Sequence, residues 1–235
     1  MSKRIAVQLF GHLRTFRETF ESYLKYIIEP NINAGYEIDV FMHIWDLLEF
    51  AGHTYHNQNS EISGCKLSDD DLQFIKENYK PNVLAIEEQT DGKAIQYTMT
   101  AVNNLRISYS MQNNINYDWV IMTRPDILFL APFLPDKYIE TYYNTDLCNV
   151  PVPFNSLFVG NNILGRMNVA DPRYVCEWDL IWFSKPEALV GEIHFSNFKM
   201  VPIRYRLNEH FKIKRVDKAP LQKGINLEAG VKNDI

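Results

Sequence analysis

Two hydrophobic rhythms alternate along the first half of this chain. Arg4 to Phe10 (RIAVQLF) is an apolar, β-branched run closed by Gly11, which predicts a buried strand stopped by a tight turn. Thr15 to Ile28 carries Phe16, Phe20, Leu24, Ile27 and Ile28 at three-to-four spacing, an amphipathic helix with Pro30 beyond its end. Glu37 to Trp45 (EIDVFMHIW) reads as a second buried strand ending at Asp46, and His53 to Ser63 as a polar loop. Ser68 caps a helix with acidic first-turn residues and Leu72, Ile75 and Tyr79 on one face. Val83 to Glu87 is a short strand, Ile95 to Tyr109 a long helical stripe, and Tyr117 to Met122 a further strand.

The second half is less regular. Asp146 to Val152, Leu157 to Val159, Asp179 to Phe183 and Lys212 to Val216 read as strands, with helices expected from Pro186 to His194 and from Pro202 to His210. Strands alternating with helices predict an α/β fold, a Rossmann-like, mostly parallel sheet flanked by helices. With 235 residues, 46% of them hydrophobic, one domain over 1–235 is expected. Its parts are a regular first half (1–130), a less regular second half (131–217) and a polar tail (218–235).

Composition narrows the function. A net charge of −5 supplies no general attraction for nucleic acid. Cys65, Cys148 and Cys176 are odd in number and lack CxxC spacing, so a disulfide framework or zinc knuckle is not indicated and a reducing cytoplasm fits best. The start, MSKRIAVQLFG, is too short in apolar residues for a secretory signal, and no run approaches the roughly 20 apolar residues of a membrane span. A soluble protein is expected, and peripheral membrane association is compatible with the same pattern.

The chemistry concentrates at strand ends. In YDWVIMTRPDILFL, Arg124 and Asp126 interrupt an otherwise apolar stretch. Ligands of parallel α/β sheets bind beyond the carboxyl ends of the strands, so TRPD is expected at the ligand edge, where neither charged residue need be buried. Pro125 cannot donate a ladder hydrogen bond, consistent with pairing that stops there. An aspartate at that edge can hold Mg2+ or Mn2+, and an arginine can grip phosphate oxygens. Mutual pairing of Arg124 and Asp126 is the competing expectation. The turn GHLRTF places Gly11, His12 and Arg14 where backbone N–H groups and a helix start favour an anion. Neither GxGxxG nor GxxxxGK[ST] occurs, which argues against dinucleotide dehydrogenases and P-loop NTPases.

Three motifs together, GHLR, DVFMHIWD and YDWVIMTRPDILF, with DLIWFSKPEAL as a weaker fourth, resemble GT-A-type glycosyltransferases of the bacterial and viral lipopolysaccharide and capsule biosynthesis group. The resemblance spans Ser2 to about Pro132. It implies transfer of a sugar from a nucleotide-sugar donor, a UDP-sugar being favoured, to a glycan or lipid-linked acceptor. In that family an Asp-x-Asp element anchors the metal and the diphosphate; Asp126 takes the place of its last aspartate and Arg124 departs from its first. By the same resemblance 1–130 is the nucleotide-binding half and 131–217 the acceptor half; Asp46, at the carboxyl end of the second strand, is a candidate nucleotide contact, and if transfer inverts the anomeric configuration Asp179, with Glu177 second, is the candidate to take the acceptor proton. Local capping or salt bridging is the alternative for Asp179. His194 and His210 are further candidate ligands or bases, and Trp178 a candidate sugar-stacking residue among Tyr142, Tyr143, Phe154, Phe158 and Trp182. A nucleotidyltransferase on a similar sheet and a non-catalytic nucleotide-sugar-binding protein are the alternatives. Glycoside hydrolysis is disfavoured because it leaves the basic turn unexplained.

Overall fold

The computed structural model describes residues 3–50, 61–90, 95–129, 132–143, 156–159, 181–193, 199–202 and 213–215. Strand β1 (Lys3–Gly11) leads to helix α1 (Phe16–Tyr23), a π-helical turn (Leu24–Ile28) and α2 (Glu29–Asn33). Then come β2 (Tyr36–Trp45), α3 (Asp69–Phe74), β3 (Val83–Glu87), α4 (Ile95–Asn113) and β4 (Trp119–Thr123). Beyond them lie β5 (Ile127–Phe129), α5 (Pro135–Tyr143), β6 (Ser156–Val159), β7 (Ile181–Ser184), β8 (Lys199–Pro202) and β9 (Ile213–Arg215).

The main sheet runs β3-β2-β1-β4-β7-β6-β8, and β5 pairs separately with β9. Strands β3, β2, β1 and β4 are mutually parallel, β7 is antiparallel to β4 and β6, and β8 is parallel to β6. This is an α/β fold built on a mixed, mostly parallel sheet. Its central strands are mostly hydrophobic because both faces are covered, with buried polar positions such as Gln8, Asp39 and His43 among them. Ile5, Val7 and Leu9 of β1 pack with Phe16, Tyr23 and Ile27 of the first helical run, whereas Ala6 and Phe10 face Met99 and Val102 of α4. Full burial of such a side chain contributes about 1.5–3 kcal/mol relative to exposure.

Three departures from the sequence pattern have local causes. The first helical run continues through residues 16–33, past Pro30. Proline lacks the N–H that would bond the carbonyl of Tyr26, and that carbonyl instead accepts from Phe133 N–H at 2.9 Å. The π-helical turn accommodates the change. After β7 only a short 3₁₀ turn (Pro186–Ala188) forms in place of the expected helix; Leu189 leaves helical geometry and Gly191 has φ +80°. That segment is fastened to α4, since Asn103 Nδ2 and Arg106 Nη2 both donate to Leu189 O (2.8 and 3.2 Å). Finally, β7 joins the sheet antiparallel, which a pattern of apolar residues cannot specify. The expected helix start at Pro202 is instead the end of β8, and residues 203–210, the strand at 146–152 and the tail at 218–235 lie outside the described residues.

The helical run 16–33 docks on residues 69–79 through an aromatic cluster. Phe20 and Tyr23 lie 4.9 and 5.3 Å from the Tyr79 ring, and Tyr79 OH donates to Phe16 O at 2.7 Å. Ser68 caps α3, as its sequence predicts, and does so through a reciprocal hydrogen-bonded box with Asp71. Tyr23 is different: its buried hydroxyl has no hydrogen-bond partner among the described residues, and burial pushes its phenol well above the ordinary value. A buried unsatisfied hydroxyl costs stability, so Tyr23→Phe is expected to gain about 1 kcal/mol, read as a rise of a few degrees in a thermal melt. A fall in the melting midpoint would show that the hydroxyl has a partner.

Candidate functional site

Strand order defines where a ligand would lie. The chain moves from β1 outward to β2 and β3, then returns through α4 to place β4 on the opposite side of β1. The loops after β1 and β4 therefore diverge at a topological switch point, the position at which open α/β sheets leave a crevice. GHLRTF leaves β1 there, and TRPD leaves β4 after Thr123, which is paired with Leu9.

Local backbone shapes this edge. Gly11 has φ +91°, which suits a residue without a side chain. Arg14 has φ +44°, a left-handed conformation costing a non-glycine residue on the order of 1 kcal/mol. Its N–H is fixed to Leu48 O at 3.0 Å, in the connection that leaves β2. On the other side, Pro125 O accepts from the buried Thr19 hydroxyl of α1 at 2.5 Å, and Ser22 Oγ accepts from Phe129 N–H at 3.1 Å. Helix α1 thus holds both exits in register.

Between them lies an alternating chain of charges. Asp126, fully buried, accepts from Arg124 Nε (2.9 Å, to Oδ1), Arg124 Nη2 (2.6 Å, to Oδ2) and Arg14 Nη1 (2.9 Å, to Oδ2). Arg14 turns its other edge to Glu49, with Nη2 donating to Oε1 at 2.8 Å and Nε to Oε2. Arg124 and Glu49 are themselves buried, at 6% and 5% exposure. Two guanidiniums and two carboxylates make this quartet formally neutral. Taking each ion out of water costs several kcal/mol, and the pairing offsets that cost. The expected exposure of Arg124 and Asp126 at the sheet edge is therefore corrected: the edge is covered, and the two residues pair with each other.

His12 adjoins the quartet. Its Nε2 lies 2.5 Å from Gln89 Oε1, so this nitrogen carries the proton and donates. Burial lowers its pKa below the ordinary histidine value and the charge of Arg124 adds to that, against the Gln89 hydrogen bond and the charges of Glu49 and Asp126. Asp46 accepts from Gln89 N–H at 3.0 Å and lies 3.5 Å from Lys66 Nζ, which ties the ends of β2 and β3 together. Trp45, the last residue of β2, stacks on Tyr97 of α4 with centroids 6.0 Å apart and planes at 10°.

Of the residues singled out in the sequence, Gly11, His12, Arg14, Arg124 and Asp126 converge at the switch point, and Asp46 sits one loop away. Asp179, Glu177, Trp178, Phe154, His194 and His210 lie outside the described residues. Tyr142, Tyr143 and Phe158 lie in α5 and β6, while Trp182 is buried against Phe10 at 5.6 Å as part of the core. Sequence reasoning missed Glu49, Gln89 and Thr19. Glu49 stands only three residues after Asp46, yet nothing in DLLEF marks it as the partner of Arg14.

The donor set bears directly on metal binding. Both oxygens of Asp126 are engaged by guanidinium N–H groups, and a divalent cation there would sit against two fixed positive charges. No group of three or more His, Cys, Asp or Glu side chains suited to a metal ion occurs among the described residues. Asp126 has the surroundings of an arginine anchor, and its carboxylate does not fit Mg2+ or Mn2+ in this arrangement. No family model matches the chain, and no curated protein matches it in sequence.

Proposed function

We propose that this chain is a GT-A-type glycosyltransferase whose nucleotide-sugar donor lies across the switch point between β1 and β4. Its diphosphate meets Arg14, backbone N–H groups of the 11–15 turn and the edge of Arg124. The observation that carries the reading is the contact between Arg14 of the β1 exit and Asp126 of the β4 exit, which joins two distant motifs at the ligand edge of the sheet. Departure of a nucleoside diphosphate develops negative charge on its phosphates, and preorganised guanidiniums stabilise that charge without reorganising. Asp126 acts as the positioning residue that holds the Arg14 guanidinium in place. Since the Asp126 donor set does not fit a divalent cation, the reading assigns charge stabilisation to arginine.

Asp179, with Glu177 second, remains the proposed acceptor of the proton from the incoming hydroxyl. The acceptor is a glycan or lipid-linked sugar of surface polysaccharide synthesis, and the proposed place of work is the cytoplasm, with peripheral membrane association. No helix among the described residues is long and apolar enough to cross a membrane. A second reading, a nucleotide-sugar-binding protein without turnover, is favoured by the closure of Arg124 onto Asp126. The nucleotidyltransferase alternative lacks a second carboxylate at position 124.

Calorimetry against UDP-, GDP- and CMP-sugars, with manganese or EDTA, tests the proposal. One nucleotide is expected to bind in the roughly micromolar to millimolar range, equally well with EDTA. Donor hydrolysis followed in parallel separates a transferase from a binder. Absence of binding by every nucleotide would remove the reading.

A further inference from the structure

Arg14 grips Glu49 through two nitrogens of one guanidinium edge, the way arginine forks grip a phosphate. The Arg14 guanidinium is already engaged, with Nε and Nη2 donating to Glu49 and Nη1 to Asp126. An anion seated on these arginines must therefore take the place of one carboxylate. Asp126 is the poorer candidate to leave, because it is fully buried and bridges both guanidiniums, so displacing it would break contacts of Arg124 and Arg14 at once. Glu49 is placed to yield. Besides the Phe50 N–H bond to its carboxylate, the backbone around Glu49 is held by bonds the carboxylate does not make, with Glu49 O accepting from Gly64 N–H at 3.1 Å and the neighbouring Leu48 O from Arg14 N–H at 3.0 Å. A side-chain rotation frees the fork while the connection after β2 stays in place. The hydrogen bond from Arg14 Nη1 to Asp126 Oδ2 keeps the guanidinium aimed at the same spot.

We propose that Glu49 is a resident stand-in for phosphate, a carboxylate that holds the Arg14 fork closed and is displaced when a diphosphate binds. The proposal rests on the reading of Arg14 as the diphosphate contact and adds the device that regulates access to it. Glu49 keeps a buried arginine paired in the absence of ligand. It also sets a threshold: an anion must outcompete a bidentate carboxylate to enter, which a diphosphate does and a single weak anion such as chloride does not.

The test uses inorganic pyrophosphate in EDTA, titrated calorimetrically into the full chain and into its Glu49→Gln variant. Removing the competing charge is expected to tighten pyrophosphate binding about tenfold or more. Equal or weaker binding by Glu49→Gln overturns the proposal, because a carboxylate that only positions Arg14 would be missed when neutralised. A second measurement needs no variant. Glu49 Oε1 accepts from Phe50 N–H at 3.0 Å, so saturating pyrophosphate is expected to speed hydrogen exchange of the Phe50 amide in the unmodified protein. An amide that is unchanged or better protected also overturns the proposal. Should pyrophosphate give both expected results while no nucleotide sugar binds, the displacement stands and the glycosyltransferase reading falls. If nucleotide sugars bind but Glu49→Gln gains nothing, the displacement alone falls.

Discussion

Replacing Asp126 by alanine is expected to cost about 3–5 kcal/mol of folding stability, because it leaves the buried Arg124 and one edge of Arg14 without their shared counter-charge. For a chain of this size that corresponds to a drop of roughly 10 °C in the melting midpoint. A carboxylate exposed at a sheet edge and holding only a metal would be replaceable with the fold intact. Full burial and three hydrogen bonds from arginine reverse that expectation. The comparison that isolates the cause is the double variant Arg124→Met with Asp126→Leu. It removes both charges of the tighter pair, so its cost is expected to be smaller than that of Asp126→Ala alone. Denaturant melts of the two single variants and the double variant measure the coupling. If Asp126→Ala melts within a degree or two of the parent, the quartet contributes little to holding the two strand exits together.

The first half of the fold was legible in sequence for a physical reason. Strands covered on both faces read as nearly continuous apolar runs, and β1, β2 and β4 announce themselves as such, with the half-exposed edge strand β3 a shorter run, separated by helices with three-to-four spacing. The expected Val83–Glu87 strand and the Ser68 cap match the structure because each depends on residues within a few positions of one another. Pro30 and the 186–193 segment depart from the sequence pattern where a local preference meets a tertiary one. The Tyr26 carbonyl found a partner at Phe133, and Leu189 was drawn into the core beneath α4 instead of extending a helix.

The site divides along the same line. Convergence of GHLR and TRPD follows from the βα order and from the rule that strand ends bind ligands, so position was readable. Environment was not, because it depends on pairings across the chain. Arg14 meets Glu49 from 35 residues away and Asp126 from 112, and no periodicity encodes such separations. Burial of Arg124 and Asp126 is a consequence of those pairings, so a one-dimensional pattern that showed two charges at a strand end left their exposure undetermined. The same applies to the donor set of Asp126, whose fit to a metal depends on what already occupies its two oxygens.

Arg14→Ala is expected to weaken UDP by about ten- to a hundredfold while leaving uridine nearly unaffected, the loss of charge-assisted hydrogen bonds to phosphate being worth about 1.5–3 kcal/mol. The variant also disturbs the protein, since Glu49 loses its ion pair with Arg14 in a buried setting. A loss of affinity arising from local unfolding would fall on both ligands alike. The ratio of the two affinities is therefore the informative quantity, and the Arg14→Ala, Glu49→Gln double variant sharpens it. That variant removes a positive and a negative charge together, so it is expected to fold better than Arg14→Ala alone and yet to bind UDP no more tightly than uridine. Arg14→Lys separates charge from geometry. A lysine keeps the charge but cannot present two parallel donors, so it is expected to recover part of the UDP affinity and not all of it. Equal losses for UDP and uridine in every variant would remove Arg14 from the phosphate site, and with it the reason for placing a donor at the exit of β1.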